Sequence, residues 1–410
     1  MIVKNNARLR NKSKTSLCSG VLENTVSNIS ENYGSWLDQM EHHYQQEIFH
    51  RRKYMRGFKC FIQTLIGMFI KPRLSNTNNI YIFEGIRNRE YMAVFNPDSV
   101  VIVGSHLEKE YAYSHGYGFC WSFPMQSAIN SKMSRGWNYP AIVQLMFWTK
   151  KLSRFRRVIF FLYEDTQPLG IFFVHLTRLL WPKVSTVCIQ HGYFLENTQV
   201  RLDGLLSDIN FVWDKRQAEL IGANKLRTFE IGLPYMATAK QSNELHVVLV
   251  GTGMAASDKD FYEKTINAYD IICRMLVNIA GVKVFYRPHP NEYNDKKLLA
   301  ELSNKFLLVD EPNKIKQLNG PRAIFIGIVS SLLYEAGVAG HLVAHLKVNS
   351  NMRSVFDYDF DFEENQIGDL LQWIVSIKNN NYLKHKNKRA CQLDPLERFK
   401  LALHEAELVD

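Results

Sequence analysis

Long apolar runs, paired cysteines and an acidic excess are all missing from this 410-residue chain. No stretch reaches the roughly 18 to 20 apolar residues that a helix needs to cross a bilayer, so no membrane-spanning helix is expected. The basic start, MIVKNNARLRNKSKTSL, lacks the apolar core of a secretory signal. Six cysteines, at 18, 60, 120, 188, 273 and 391, are scattered with no CxxC pair. That excludes zinc-ligand spacing and a disulfide framework, and it implies a reducing, cytoplasmic setting. Cys188 lies in an apolar run, where a thiol serves as a packing residue. Neither GxGxxG nor a P-loop lysine is present, which removes the dinucleotide and P-loop fingerprints. Internal repeats are absent, and the one biased segment is the basic KHKNKRA near residue 384.

What remains is the composition of a globular protein, 46% hydrophobic and 22% charged. Its length calls for two domains. A net charge of +10 favours anionic partners such as nucleotides, nucleic acid or an anionic membrane.

Residues 1–30 are polar, basic and expected to be loose, followed by a helical segment from about Trp36 to Ile70. Apolar runs then alternate with helix-like spacing: IYIFEG at 80, SVVIVGS at 99, RVIFFLYED at 157, VSTVCIQHG at 184 and INFVW at 209. Unbroken apolar runs are the mark of parallel strands covered on both faces. The pattern restarts at LHVVLVGTG, residue 245, and continues through VKVFYRPHP, FLLVDE, RAIFIGIVSS and HLVAHLKV. These runs predict an α/β protein of GT-B type, two Rossmann-like domains with a ligand cleft between them. The expected division is an acceptor-side domain over 31–235, a nucleotide-donor domain over 245–385, and a C-terminal helix over 386–410 that packs back on the first.

Polar clusters stand directly after four of the apolar runs. Glu164 and Asp165 follow VIFFLY; adjacent carboxylates raise one pKa and supply a general base, or else form a solvated loop. His191 follows VCIQ and precedes glycine, either as an acid or base or as a hydrogen-bonded turn residue. Arg287 and His289 lie in RPHP, where prolines stiffen the chain and remove amide donors. That holds His289 against a ligand, unless the stretch is an ordinary strand exit. Ser330 and Ser331 open the segment SSLLYEAGVAG as an N-cap, an end that also attracts anions. Glu335 in that segment, Pro290, and Gly251 and Thr252 of the VGTGM turn complete the candidate nucleotide contacts. The acids Asp357, Asp359 and Asp361 of FDYDFDFEE resemble a metal-binding DxD but read as an edge strand, so no metal and no cofactor is expected.

The order of acidic pair, HP and serine pair resembles the metal-independent bacterial sialyltransferases and polysialyltransferases. Thr166 stands where those families carry glycine after the acidic pair. QHG with the later SDINFVW and IGLP resembles the capsule Kdo transferases and the polyol-phosphate transferases of teichoic acid synthesis. The resemblance spans about residues 158–345 and implies a donor activated by a cytidine nucleotide. It implies further that His289 contacts the donor phosphate or acts as acid to the leaving group. Ser330, Ser331 and Arg287 would hold the phosphate, and Glu164 or Asp165 would deprotonate the acceptor.

The leading expectation is therefore transfer of sialic acid, or a related ulosonic acid such as Kdo, from a CMP-sugar to a glycan or lipid-linked acceptor of a bacterial capsule or lipopolysaccharide. A CDP-polyol phosphotransferase, with His191 as base, is the second reading. A non-enzymatic basic protein on a transferase scaffold, binding membrane or nucleic acid, is the third; RNA-binding motifs are missing and no nucleic-acid partner is expected. Residues 50–72 place Arg51, Arg52, Lys53, Arg56, Lys59 and Lys71 around an apolar stretch with Phe58, Phe61 and Phe69. Such a segment is either a core helix with a charged end or a peripheral contact with the inner face of the cell membrane.

Overall fold

Valine, isoleucine and phenylalanine fill the strand centres, and branched or aromatic side chains suit strands buried on both faces. The computed structural model describes residues 62–63, 66, 73–74, 77–128, 138–163, 168–180, 183–190, 207–222, 227–253, 255, 258–308, 314–328, 330–347, 358–379 and 394–409. Among these, β1 (Asn79–Glu84), β2 (Val100–Gly104), β3 (Gly118–Trp121), β4 (Arg157–Leu162), β5 (Val184–Ile189), β6 (Ile209–Val212) and β7 (Arg227–Glu230) form one sheet. Its order is β3-β2-β1-β4-β5-β6-β7, with every neighbouring pair parallel.

A second parallel sheet comprises β8 (Leu245–Val250), β9 (Val282–Arg287), β10 (Ala323–Gly327), β11 (Leu342–Lys347) and β12 (Phe360–Glu363), in the order β12-β11-β10-β8-β9. The chain leaves β8 for β9 on one side and then crosses to β10 on the other. This makes a topological switch point at the carboxyl ends of β8 and β10, where open α/β sheets bind ligands. The first sheet has the same feature between β1 and β4.

Two strands, β3 (GFCW) and β7 (RTFE), are only four residues each, too short to stand out in the sequence as strands. FLLVDE, expected as a strand, contributes among the described residues only a single parallel bridge from Leu308 to Tyr286. The helix expected over Trp36–Ile70 lies mostly outside the described residues; Ile62, Gln63 and Ile66 are helical.

After building the second sheet the chain returns to the first. Phe399, on the helix Pro395–Glu405, is fully buried there. Its ring stacks on Tyr91 at 4.2 Å and meets Phe211 edge-on at 5.6 Å. Side-chain contacts join the halves. Trp213, just after β6, lies parallel to Tyr334 with ring centroids 5.7 Å apart. Tyr235, on the connection between the sheets, donates its hydroxyl to Glu335.

Candidate active site

Gly251 and Gly253 bring the turn after β8 into van der Waals contact with the RPHP element after β9. A Cβ on Gly251 would stand 2.3 Å from Glu292 Oε2 and 2.8 Å from the His289 backbone nitrogen. A Cβ on Gly253 would stand 2.3 Å from His289 Nδ1, and Gly253 also adopts φ of +67°, a region that disfavours side chains. Only glycine fits at either position. The turn is locked from below by Glu292, a buried carboxylate that accepts the His289 N–H at 2.7 Å, the Tyr286 hydroxyl at 3.0 Å and the Gly253 N–H at 3.2 Å. Burial pushes Glu292 up from the ordinary carboxylate range, and these donors, with the Thr252 N–H, oppose the shift.

His289 is the N-cap of a short helix, Pro290–Asn294, with Pro290 at its first position. Proline suits that position because the first helical amide has no partner within the helix. The Asn291 N–H donates to His289 Nδ1 at 3.2 Å, which leaves the ring proton on Nε2 when the imidazole is neutral. Burial lowers the His289 pKa, and the nearby Arg287 guanidinium adds to the effect. The neutral ring with an available Nε2–H donor is thus the favoured form near neutrality.

Arg287, the last residue of β9, is buried and donates from Nε to Gln317 Oε1 at 2.6 Å. Burial also pulls its guanidinium down from the usual value, while the negative Glu335 resists this. Glu335 is only 2% exposed. It accepts Lys314 Nζ at 2.9 Å and the Tyr235 hydroxyl. Against this buried carboxylate the Tyr235 phenol is pushed far above its ordinary range, chiefly by burial. Ser330 caps the helix Ser331–Ala339, its Oγ accepting the Leu332 N–H at 3.2 Å, and Ser331 is the first helical residue.

Gly251, Thr252, Arg287, His289 and Pro290 therefore meet in one cradle, with Glu335 joined through Arg287. Glu164, Asp165 and His191 lie outside the described residues. Their neighbours are ordered by side chains: Glu84 accepts the Tyr163 N–H at 3.2 Å, and Gln190 bridges the Trp213 amide and Gln217 at 2.7 Å each. Sequence reasoning missed Glu292, although HPNE spells the reciprocal cap in which Glu292 takes the His289 amide. Lys314, Gln317 and Tyr235 left no local signal, because their partners lie far away in sequence.

The DxD-like acids have structural partners. Asp359 Oδ2 accepts the Val343 N–H at 2.8 Å, and Asp361 pairs with His345 Nδ1 at 3.0 Å, both fastening the edge strand β12; Asp357 lies outside the described residues. No group of three or more His, Cys, Asp or Glu side chains placed to hold a metal occurs among the described residues.

No family model matches the sequence, and no curated protein matches it. Solved structures do. An S. aureus MnaA–UDP co-structure is similar over 81% of this chain and 98% of its own, with a TM-score of 0.51 at 11% identity. A Methanocaldococcus jannaschii UDP-GlcNAc 2-epimerase in complex with UDP-GlcNAc and UDP is similar over 80% of this chain and 99% of its own, with a TM-score of 0.51 at 10% identity. The fold is GT-B. Two Rossmann-like domains, built on the two parallel sheets, face each other across a cleft. The glycine turn and RPHP element stand at the carboxyl ends of β8 and β9, beside the switch point of the second sheet.

Proposed function

We propose that the chain is a glycosyltransferase using a nucleotide-activated sugar, with the donor nucleotide on the second domain. The observation that carries this reading is the fit between the Gly251–Gly253 turn and the RPHP element. Glycines that admit no Cβ, with a buried carboxylate taking the Gly253 and His289 amides, hold the His289 ring in a fixed position. A fixed donor aimed at a developing negative charge is the main resource for departure of a phosphate leaving group. His289 Nε2–H donates to that phosphate, Arg287 adds positive charge from behind, and the buried Glu335, paired with Lys314 and Tyr235, supports that charge from the helix Ser331–Ala339.

The finer reading is a CMP-activated donor, sialic acid or a related ulosonic acid such as Kdo. It rests on the order of the acidic pair, HP and serine motifs. In it, Glu164 or Asp165 activates the acceptor hydroxyl of a glycan or lipid-linked chain destined for a bacterial surface polysaccharide. No metal takes part, so turnover is expected to survive EDTA; loss on chelation with recovery on adding Mn²⁺ would refute this.

Thermal shifts with CMP, CDP, UDP and GDP test the donor directly. UDP belongs in the panel because both structures named above concern UDP or UDP-GlcNAc. Stabilisation by CMP alone supports the ulosonic acid reading, and by CDP alone the polyol phosphotransferase. Stabilisation by UDP alone moves the donor to a UDP-sugar, and no response to any nucleotide defeats the transferase reading.

A further inference from the structure

The outer edge of the first sheet carries a strip of aromatic rings and cations that the cleft chemistry does not use. On the helix His106–Ser114, positions 106, 109, 110 and 113 share one face, and the exposed Glu110 carboxylate pairs with His106 at 3.7 Å. That face meets the edge strand β3. His106 lies edge-on to Trp121 at 6.4 Å, and Lys109 Nζ sits over Tyr113 at 5.5 Å and over Trp121 at 5.6 Å. Arg73 pairs with Phe119 across the free side of β3 and places its guanidinium over the Tyr113 ring at 5.3 Å. Tyr113 remains 48% exposed.

Nearby in sequence to β3, Ser127 donates to Gln63 at 2.9 Å, and Ile66 is helical and 50% exposed. Interleaved rings, aliphatic side chains and cations are the composition of a surface that rests at the headgroup level of a bilayer, rings between lipids and cations on phosphates. From Trp121 at the carboxyl end of β3 the strip runs down the outer edge to Tyr113 and Arg73, away from the carboxyl ends where an acceptor would lie. No described helix is long and apolar enough to cross a membrane.

We propose that this edge, centred on Arg73, Lys109, Tyr113 and Trp121, docks the protein on an anionic lipid surface. The partner is the bilayer itself, recognised through headgroup phosphates and interfacial insertion of the rings. The proposal is independent of which sugar the cleft transfers, and it adds a folded surface to the basic segment 50–72.

The test is co-sedimentation of the full chain with vesicles of phosphatidylcholine, alone or mixed with phosphatidylglycerol, at low and high salt. Binding is expected only to the anionic vesicles and only at low salt. The double variant Arg73→Gln/Lys109→Gln is expected to lower partitioning at least about tenfold. Tyr113→Ser, which keeps both cations, is expected to lower it severalfold. An unchanged thermal midpoint and unchanged nucleotide response show that the variants are folded. A parent protein that ignores anionic vesicles, binding indifferent to phosphatidylglycerol, or folded variants that sediment like the parent would each overturn the proposal.

Discussion

At the scale of single residues, the site depends on what is left out as much as on what is present. Gly253→Ala sets a methyl group against the imidazole of His289 and forces a side chain into positive φ. The backbone cost alone is about 1–2 kcal/mol. The expected outcome is a modest fall in thermal stability together with a large loss of nucleotide affinity, because the His289 ring must move. Calorimetry and nucleotide titration on one preparation separate the two effects; full affinity would show that the turn does not shape the donor site. His289→Ala leaves the cavity open and the Glu292 lock intact, since Glu292 holds the backbone amide of residue 289 and not the ring. Turnover is expected to fall at least about 100-fold with the fold preserved. A rate within a few-fold of the parent would make RPHP a strand exit and nothing more.

Among the elements, the C-terminal helix Pro395–Glu405 shows most clearly how distant sequence completes a core. Phe399 lies among rings from β4, β6 and the Tyr91–Phe95 stretch, with Phe161 at 5.9 Å and Phe95 at 6.2 Å. Phe399→Ala is expected to cost about 3–5 kcal/mol, the range for a fully buried aromatic cut to a methyl. Chemical denaturation should show that loss in the transition of the first domain. A loss below about 1 kcal/mol would mean that the helix is only loosely seated. Most strands of the GT-B fold were legible because buried parallel strands must be apolar throughout, as in RVIFFL and AIFIG. β3 and β7 were not, since edge strands of four residues are too short to show a pattern. The local half of the cradle, Arg287 to Pro290, was legible through its prolines. The Lys314–Glu335–Tyr235 cluster was not, because pairing across 21 and 100 positions leaves no periodic trace.

For the whole molecule, titration of buried histidines should make the two domains respond differently to acid. His289, His341 and His345 all belong to the second domain, and burial lowers the pKa of each. His341 is the extreme case, brought down to about 4. Its ring is 3% exposed, with Nδ1 accepting the Ala323 N–H at 3.1 Å and Nε2 donating to the Leu318 carbonyl at 3.0 Å. Both nitrogens are therefore committed in the neutral form, and protonation would break the bond to Ala323. A depressed folded pKa means that the unfolded chain takes up its proton first as pH falls. Stability is thus complete above about pH 6.5, the usual value for an unfolded histidine, and drains away as pH falls toward 4. For His341 alone the loss across that window is about 3 kcal/mol. Urea unfolding between pH 7 and 4.5, read by hydrogen exchange so that each sheet reports separately, should show the β8–β12 sheet weakening while the β1–β7 sheet changes less. His341→Gln retains a donor and an acceptor without a titrating group, and should flatten much of the slope in the second sheet. An unchanged slope in that variant would place the acid sensitivity elsewhere.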